Sequence, residues 1–200
     1  MKKRNLIALV LVYLHSVCLE AETIAPLVKV ESTVNIVIKL LKEINPEMTE
    51  EVRAKKLLEV RAAIESSFSF EQVARRSLGR NWKKFTEDEL SSFMDLFSEL
   101  LLKSYLKNFS GIGEAGITFE QERKLSEKKV EIHSKVTIEN TQLPVVYRMT
   151  LVENEWQVYD AIIEGVSLVA NYRSQFDSIL RRGNPQKLIE ILDKKVNQSE

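Results

Sequence analysis

The 200-residue chain has one cysteine, Cys18, so no disulfide can form within it and packing must hold the fold together. Six glycines and four prolines are too few for a collagen-like, low-complexity or linker-rich protein. An excess of either charge is missing as well, since 29 Lys and Arg balance 29 Asp and Glu. Without a basic surplus to displace counterions from a phosphate backbone, a nucleic-acid partner is not expected. What is present is 44% hydrophobic residues with both charges interspersed, the make-up of one globular domain.

The N-terminus reads as an export signal. Lys2, Lys3 and Arg4 precede an uncharged run from Leu6 to Val17, and Ala21 offers a small residue for cleavage. As a helix that run spans about 18 Å, short of the roughly 30 Å of bilayer hydrocarbon. A lipoprotein signal built on Cys18 fits less well, because bulky Val17 stands where a small residue is wanted. The expected organisation is a signal peptide over 1–21 and one domain over 22–200, exported and without cysteine.

From Pro26 to Phe109 the pattern is helical. Thr49 ahead of Glu50 and Glu51 suits an N-cap, and Ser69 with Gln72 and Thr86 with Glu89 have capping-box spacing. Leu90, Phe93, Phe97, Leu100, Leu101 and Tyr105 then form one apolar stripe on a long helix that should end near Gly111. Beyond Gly116 the period changes to two. Val130, Ile132, Val136 and Ile138 alternate with Glu131, His133, Lys135 and Glu139, and Ile117 with Phe119, Val145 to Val152, and Trp156 to Ile163 supply three further strands. Helices return at Ser167 to Leu180 and, after Gly183-Asn184-Pro185, at Gln186 to Val196. The expected fold is α+β, with helices on one face of an antiparallel meander of about four strands.

Motifs for covalent chemistry are sparse. Gly111, Gly113 and Gly116 spell G-x-G-x-x-G, but a dinucleotide site needs a strand before the motif and a helix after it, and here the order is reversed. Beyond the signal one histidine remains, His133, on the polar side of a strand, so a triad or metal cluster would rest on that residue alone. Asp160 and Glu164 could serve as an acid/base pair by type only. Arg75, Arg76, Arg80, Lys83 and Lys84 crowd around Gly79 and Trp82, either a solvated helix end or a surface for an acidic partner or anionic membrane, and Arg181 with Arg182 poses the same choice. Periodicity cannot tell a helix facing a packed core from one facing a cavity.

A longer pattern does point to a function. Trp156-Gln157-Val158-Tyr159-Asp160, Ile163-Glu164-Gly165-Val166-Ser167-Leu168-Val169 and Asn171-Tyr172-Arg173-Ser174-Gln175-Phe176 form a run that resembles the MlaC family of periplasmic phospholipid-binding proteins, also called toluene-tolerance proteins. Phe68-Ser69-Phe70, Leu78-Gly79-Arg80-Asn81-Trp82 and the segment Phe93 to Tyr105 are similar to the same family, so the likeness runs from about Val30 to Leu192. Ser69 stands where the family usually has Asp, and Asn154-Glu155 where it has a glycine turn.

The resemblance implies a carrier without enzymatic activity or cofactor, holding a phospholipid as cargo. It implies a periplasmic monomer exchanging lipid with an outer-membrane lipoprotein–porin complex (MlaA) and an inner-membrane ABC transporter (MlaFEDB, through MlaD). Within it, Phe93, Phe97, Leu101 and Tyr105 would face Phe119, Val130, Ile132, Tyr147, Met149, Val158 and Ile162 across the acyl chains. Val166, Val169 and Phe176 would close one side, with Arg148, Tyr172 and Arg173 toward the headgroup. Such a cavity would approach about 1,000 Å³, the upper end of ordinary pockets. The alternatives are a filled-core module acting through its basic surface, and a relative associated with hopanoid handling.

Overall fold

The computed structural model describes residues 23–45, 47–106, 115–138 and 141–197. The export signal, Cys18 and the end of the long helix near Gly111 lie outside the described residues, as does the side chain of Tyr105.

Four helices come first: α1 Pro26–Glu43, α2 Glu50–Glu65, α3 Phe70–Leu78 and α4 Glu87–Leu106, with a 3-10 turn at Gly79–Lys84 before α4. Their starts are where the hydroxyl residues put them. Thr49 accepts from Val52 N at 3.4 Å and Ser69 from Gln72 N at 3.2 Å. Thr86 and Glu89 close a reciprocal box, Glu89 N donating to Thr86 Oγ1 at 3.3 Å and Thr86 N to Glu89 Oε2 at 2.9 Å. Gly79 sits at φ +55°, ψ −127°, a conformation costly for any residue with a Cβ, and turns the chain sharply after α3.

The sheet is a plain antiparallel meander of β1 Ala115–Ser126, β2 Lys129–Ile138, β3 Thr141–Val152, β4 Glu155–Ile163 and the two-residue β5 Val166–Ser167. The turn before Trp156 is Glu153-Asn154, both at positive φ, so the usual glycine is replaced by residues held in the left-handed region. Two helices close the chain, α5 Leu168–Arg182, capped by Ser167 (from Ala170 N, 3.0 Å), and α6 Pro185–Asn197. The outer half of β1 is exposed throughout and charged, with Glu120 and Glu122 followed by Arg123 and Lys124.

The apolar residues do not form one core. Val130, Ile132, Val136, Val145, Tyr147, Met149 and Val158 line one face of the sheet and are covered by α1 through Val30, Leu27 and Val34. A second core is entirely helical. Phe93 stacks on Phe97 at 5.4 Å, and Phe176 of α5 meets both edge-on at 5.4 and 5.1 Å. Leu188, Leu192 and Val196 of α6 complete this helical core. The long stripe of α4 thus faces α5 and α6 rather than the sheet, because the returning helices need an apolar surface and α4 is long enough to supply it.

Phe97 is fully buried against Phe93, Tyr172 and Phe176. Phe97→Ala should cost about 3–5 kcal/mol, read as a lowered urea midpoint at unchanged slope.

Candidate functional site

Where the two cores meet they leave a pocket of about 220 Å³. Its walls come from both sides: Val34, Val37, Ile38 and Leu41 of α1, Ile64 of α2, Phe70 and Val73 of α3, Leu101 and Leu102 of α4, Leu168 of α5, and Val136, Val145, Tyr147, Ala161 and Ile163 of the sheet. Val34, Val37, Ile38, Ile64, Leu102 and Ile163 are only half-buried, large aliphatic side chains whose contacts are incomplete. Apart from the Tyr147 hydroxyl, the polar side chains on the wall are Thr33 and Asp160.

Strand β4 and the segment before α3 fix the seam. Val158 N donates to Ser67 O at 2.7 Å and Ser69 N to Val158 O at 3.0 Å, so residues 67–69 run beside β4 like a further strand. The same segment reaches α1 through the hydroxyls of Thr33 and Ser67, 2.5 Å apart and buried, and Phe68 packs edge-on against Tyr147 at 6.3 Å. At the far end, Asp160, only 3% exposed, accepts from Val169 N at 3.0 Å and from Ser167 Oγ at 2.7 Å. It therefore anchors the first turn of α5, where a carboxylate also meets the positive end of the helix. Arg148 Nη1 lies 3.4 Å from Asp160 Oδ2, and its Nε donates to Glu131 Oε1 at 3.0 Å. Burial on its own would lower the pKa of Arg148, but the bond to Glu131 and the charges of Glu131 and Asp160 outweigh it and hold the guanidinium charged.

The sequence-derived positions separate into groups. Leu101 and Tyr147 are on the pocket wall. Phe93, Phe97, Val169 and Phe176 lie in the helical core, with Tyr172 packed against it, 4.9 Å from the Phe97 ring. Val130, Ile132, Met149 and Val158 are buried under α1, and Phe119 packs against that cluster half-buried. Strand alternation turns Ile162 to the face opposite Ala161 and Tyr147, and Val166, 60% exposed, sits at the β4–β5 hairpin. Arg148 projects from the other face of the sheet into its ion-pair network. Arg173 Nε donates to Arg76 O at 2.7 Å, satisfying a carbonyl at the end of α3. His133, expected to be open to solvent, is half-buried with Nε2 3.7 Å from Glu131.

The pocket is well below the 1,000 Å³ expected, because α4 and α5 spend their aromatic rings on each other. Its α1 wall went unread although a signal was present: Val30, Val34, Val37, Ile38 and Leu41 recur at helical spacing. Among the described residues no helix is long and apolar enough to cross a membrane.

Burial pushes the Tyr147 phenol from 10.0 up to about 12, against a smaller opposing effect of its bond to Ser134. A raised phenol pKa means the folded chain keeps a proton that the unfolded chain releases. Its contribution is full below pH 10 and is lost as pH rises toward 12, by roughly 2–3 kcal/mol in all. Urea midpoints in alkaline buffer should fall less steeply with pH in Tyr147→Phe than in the parent.

The sequence profile of the MlaC protein family matches residues 31–194. A toluene tolerance protein of Pseudomonas putida is 28% identical over 104 residues, covering 51% of this chain and 48% of that protein. An intermembrane phospholipid transport system binding protein, MlaC of Haemophilus influenzae, is 22% identical over 135 residues, 65% of this chain and 63% of that one. The chain thus spans about half the length of the first relative and under two thirds of the second. Among solved structures, a phospholipid-binding protein from Ralstonia solanacearum in complex with a phospholipid aligns with a TM-score of 0.77 at 22% identity, over 87% of this chain and 98% of that one. At that identity the likeness speaks to the fold.

Proposed function

The chain belongs to the MlaC protein family, and from that premise we propose that it is a phospholipid carrier whose cargo threads its acyl chains into the seam pocket. The carrying observation is the pocket itself, an aliphatic cleft bounded by helices and sheet in a fold shared with a phospholipid-binding protein. Two acyl chains hold about thirty CH₂ groups, and at roughly 0.8 kcal/mol each their exposure would cost on the order of 20 kcal/mol. A lipid therefore crosses water only inside a protein that offers comparable apolar surface. Aliphatic walls suit this task because their contacts are non-directional and release as readily as they form.

In this function the chain is exported as one domain, works in the periplasm as a monomer and performs no covalent chemistry. It exchanges lipid with an outer-membrane MlaA-type complex and an inner-membrane MlaFEDB-type transporter through MlaD. A full lipid needs more room than 220 Å³. The room comes from the α1–α2 side, where α2 packs mainly against α1 and leaves Val52, Leu57 and Leu58 exposed. Loading then parts α1 from the sheet and breaks the Thr33–Ser67 contact, while the helical core stays closed. The headgroup remains outside, because Thr33 and Asp160 are already engaged and no basic side chain lines the pocket among the described residues.

Protein purified from a bacterial host should release near-stoichiometric phospholipid on solvent extraction, identified by mass spectrometry. Persistent absence after lipid is offered removes the proposal, and a hopanoid in the extract redirects it. Filling the pocket with Val37→Trp or Ile163→Trp should cut lipid content by more than half while circular dichroism is unchanged. A filled-core module would instead show no lipid to lose.

A further inference from the structure

None of the basic residues from Arg75 to Lys84 lines the seam pocket. Helices α3 and α5 lie side by side, and Phe70, Val73 and Leu168 in their first two turns line the seam pocket. Further along the same two helices a second, separate groove of about 590 Å³ opens between the 3-10 turn and α5, lined by Arg80, Lys84, Arg173 and Arg181 with a single acid, Asp177.

The cations around this groove are held by groups that do not cancel their charge. Lys84 Nζ donates to Leu180 O at 3.4 Å and Arg173 Nε to Arg76 O at 2.7 Å. Earlier on α3, Arg75 stands over the Trp82 ring at 5.2 Å and Arg76 over Tyr159 at 4.0 Å, again aromatic partners rather than carboxylates. Asp177 is divided between Asn81 at 3.2 Å and Arg181 at 3.5 Å, so it offsets at most one of them. The outcome is a concave patch of pre-positioned, uncompensated positive charge on a chain whose overall charge is zero.

We propose that this groove docks an extended acidic segment of a partner protein, whose carboxylates meet Arg80, Lys84, Arg173 and Arg181 in succession. The proposal rests on the carrier function in one respect, that a carrier must be met by the complexes it serves. Spacing favours a row of carboxylates over a single phosphate, because Arg173 and Arg181 are eight residues apart, about 12 Å along the helix. The same distance is about four residues of extended chain, which suits acids spaced along a peptide. Seating on a membrane surface would call for apolar anchors, and none of the large exposed apolar side chains among the described residues belongs to the groove. Opposite charges at such a site speed encounter and align the partner, and their effect fades with salt.

The test uses the full chain, a fluorescent peptide with glutamates four residues apart and its glutamine counterpart, read by anisotropy at low and high salt. The glutamate peptide should bind about tenfold or more tightly than the glutamine peptide, and added salt should erase the difference. Arg80→Glu with Arg181→Glu should remove that preference and leave extracted phospholipid unchanged. The milder pair Arg80→Gln with Arg181→Gln serves if charge reversal impairs folding. Equal binding of the two peptides, or folded variants that bind as the parent does, overturns the proposal. Displacement of the peptide by millimolar phosphate, or tighter association with phosphatidylglycerol vesicles than with the peptide, also overturns it. The two functions fail separately, since a lipid-free chain that still selects the glutamate peptide through Arg80 and Arg181 sustains the groove and removes the carrier.

Discussion

Strand β4 is the junction on which the molecule depends, because it lends hydrogen bonds on both sides to parts that otherwise pack apart. Through Val158 it holds residues 67–69, and with them Thr33 of α1. Through Asp160 it holds the first turn of α5. Just beyond Asp160, Ala161 and Ile163 face the pocket. The seam stays open because the anchors are polar and fixed in place, while the aliphatic residues beyond them have no second surface close enough to fill the gap. A pocket made in this way needs no strained backbone and no special motif.

Much of the architecture was legible in the sequence for local reasons. Thr49, Ser69, Thr86 and Ser167 are hydroxyl caps that act through groups three residues away, and period-two alternation in Val130 to Ile138 follows from the pleat of a single strand. The family run around Trp156 and Tyr172 likewise placed the chain correctly. What could not be read was which apolar face meets which. Phe93, Phe97 and Phe176 show the spacing of a buried stripe whether they face a lipid or one another, and only the return of α5 and α6 decides that they stack together. Arg148 likewise alternates correctly along β3, but its partners Glu131 and Asp160 come from neighbouring strands whose register no local rule fixes.

The division into two cores separates two mechanical demands. The helical core, rich in interlocked aromatic rings, is close-packed and resists changes of volume. The α1 side is held by Val30, Leu27 and Val34 against the sheet, by the buried Thr33–Ser67 hydroxyl pair and by the exposed Lys29–Glu155 pair at 3.3 Å. Exposed ion pairs of this kind contribute little, typically under about 1 kcal/mol, so the apolar contacts and the hydroxyl pair are what hold α1. The charged network of Glu131, Arg148 and Asp160 ties β2, β3 and β4 to the first turn of α5.

The outermost strand has a consequence of its own. A β1 edge left unpaired among the described residues offers a ladder of free amide and carbonyl groups, the template on which strands of other molecules could stack. Charged Glu120, Glu122, Arg123 and Lys124 line that edge, where a like-charged strand is repelled, and Lys135 on the neighbouring strand already claims Glu120. The most adhesive border of the sheet is thereby guarded against runaway fibril growth.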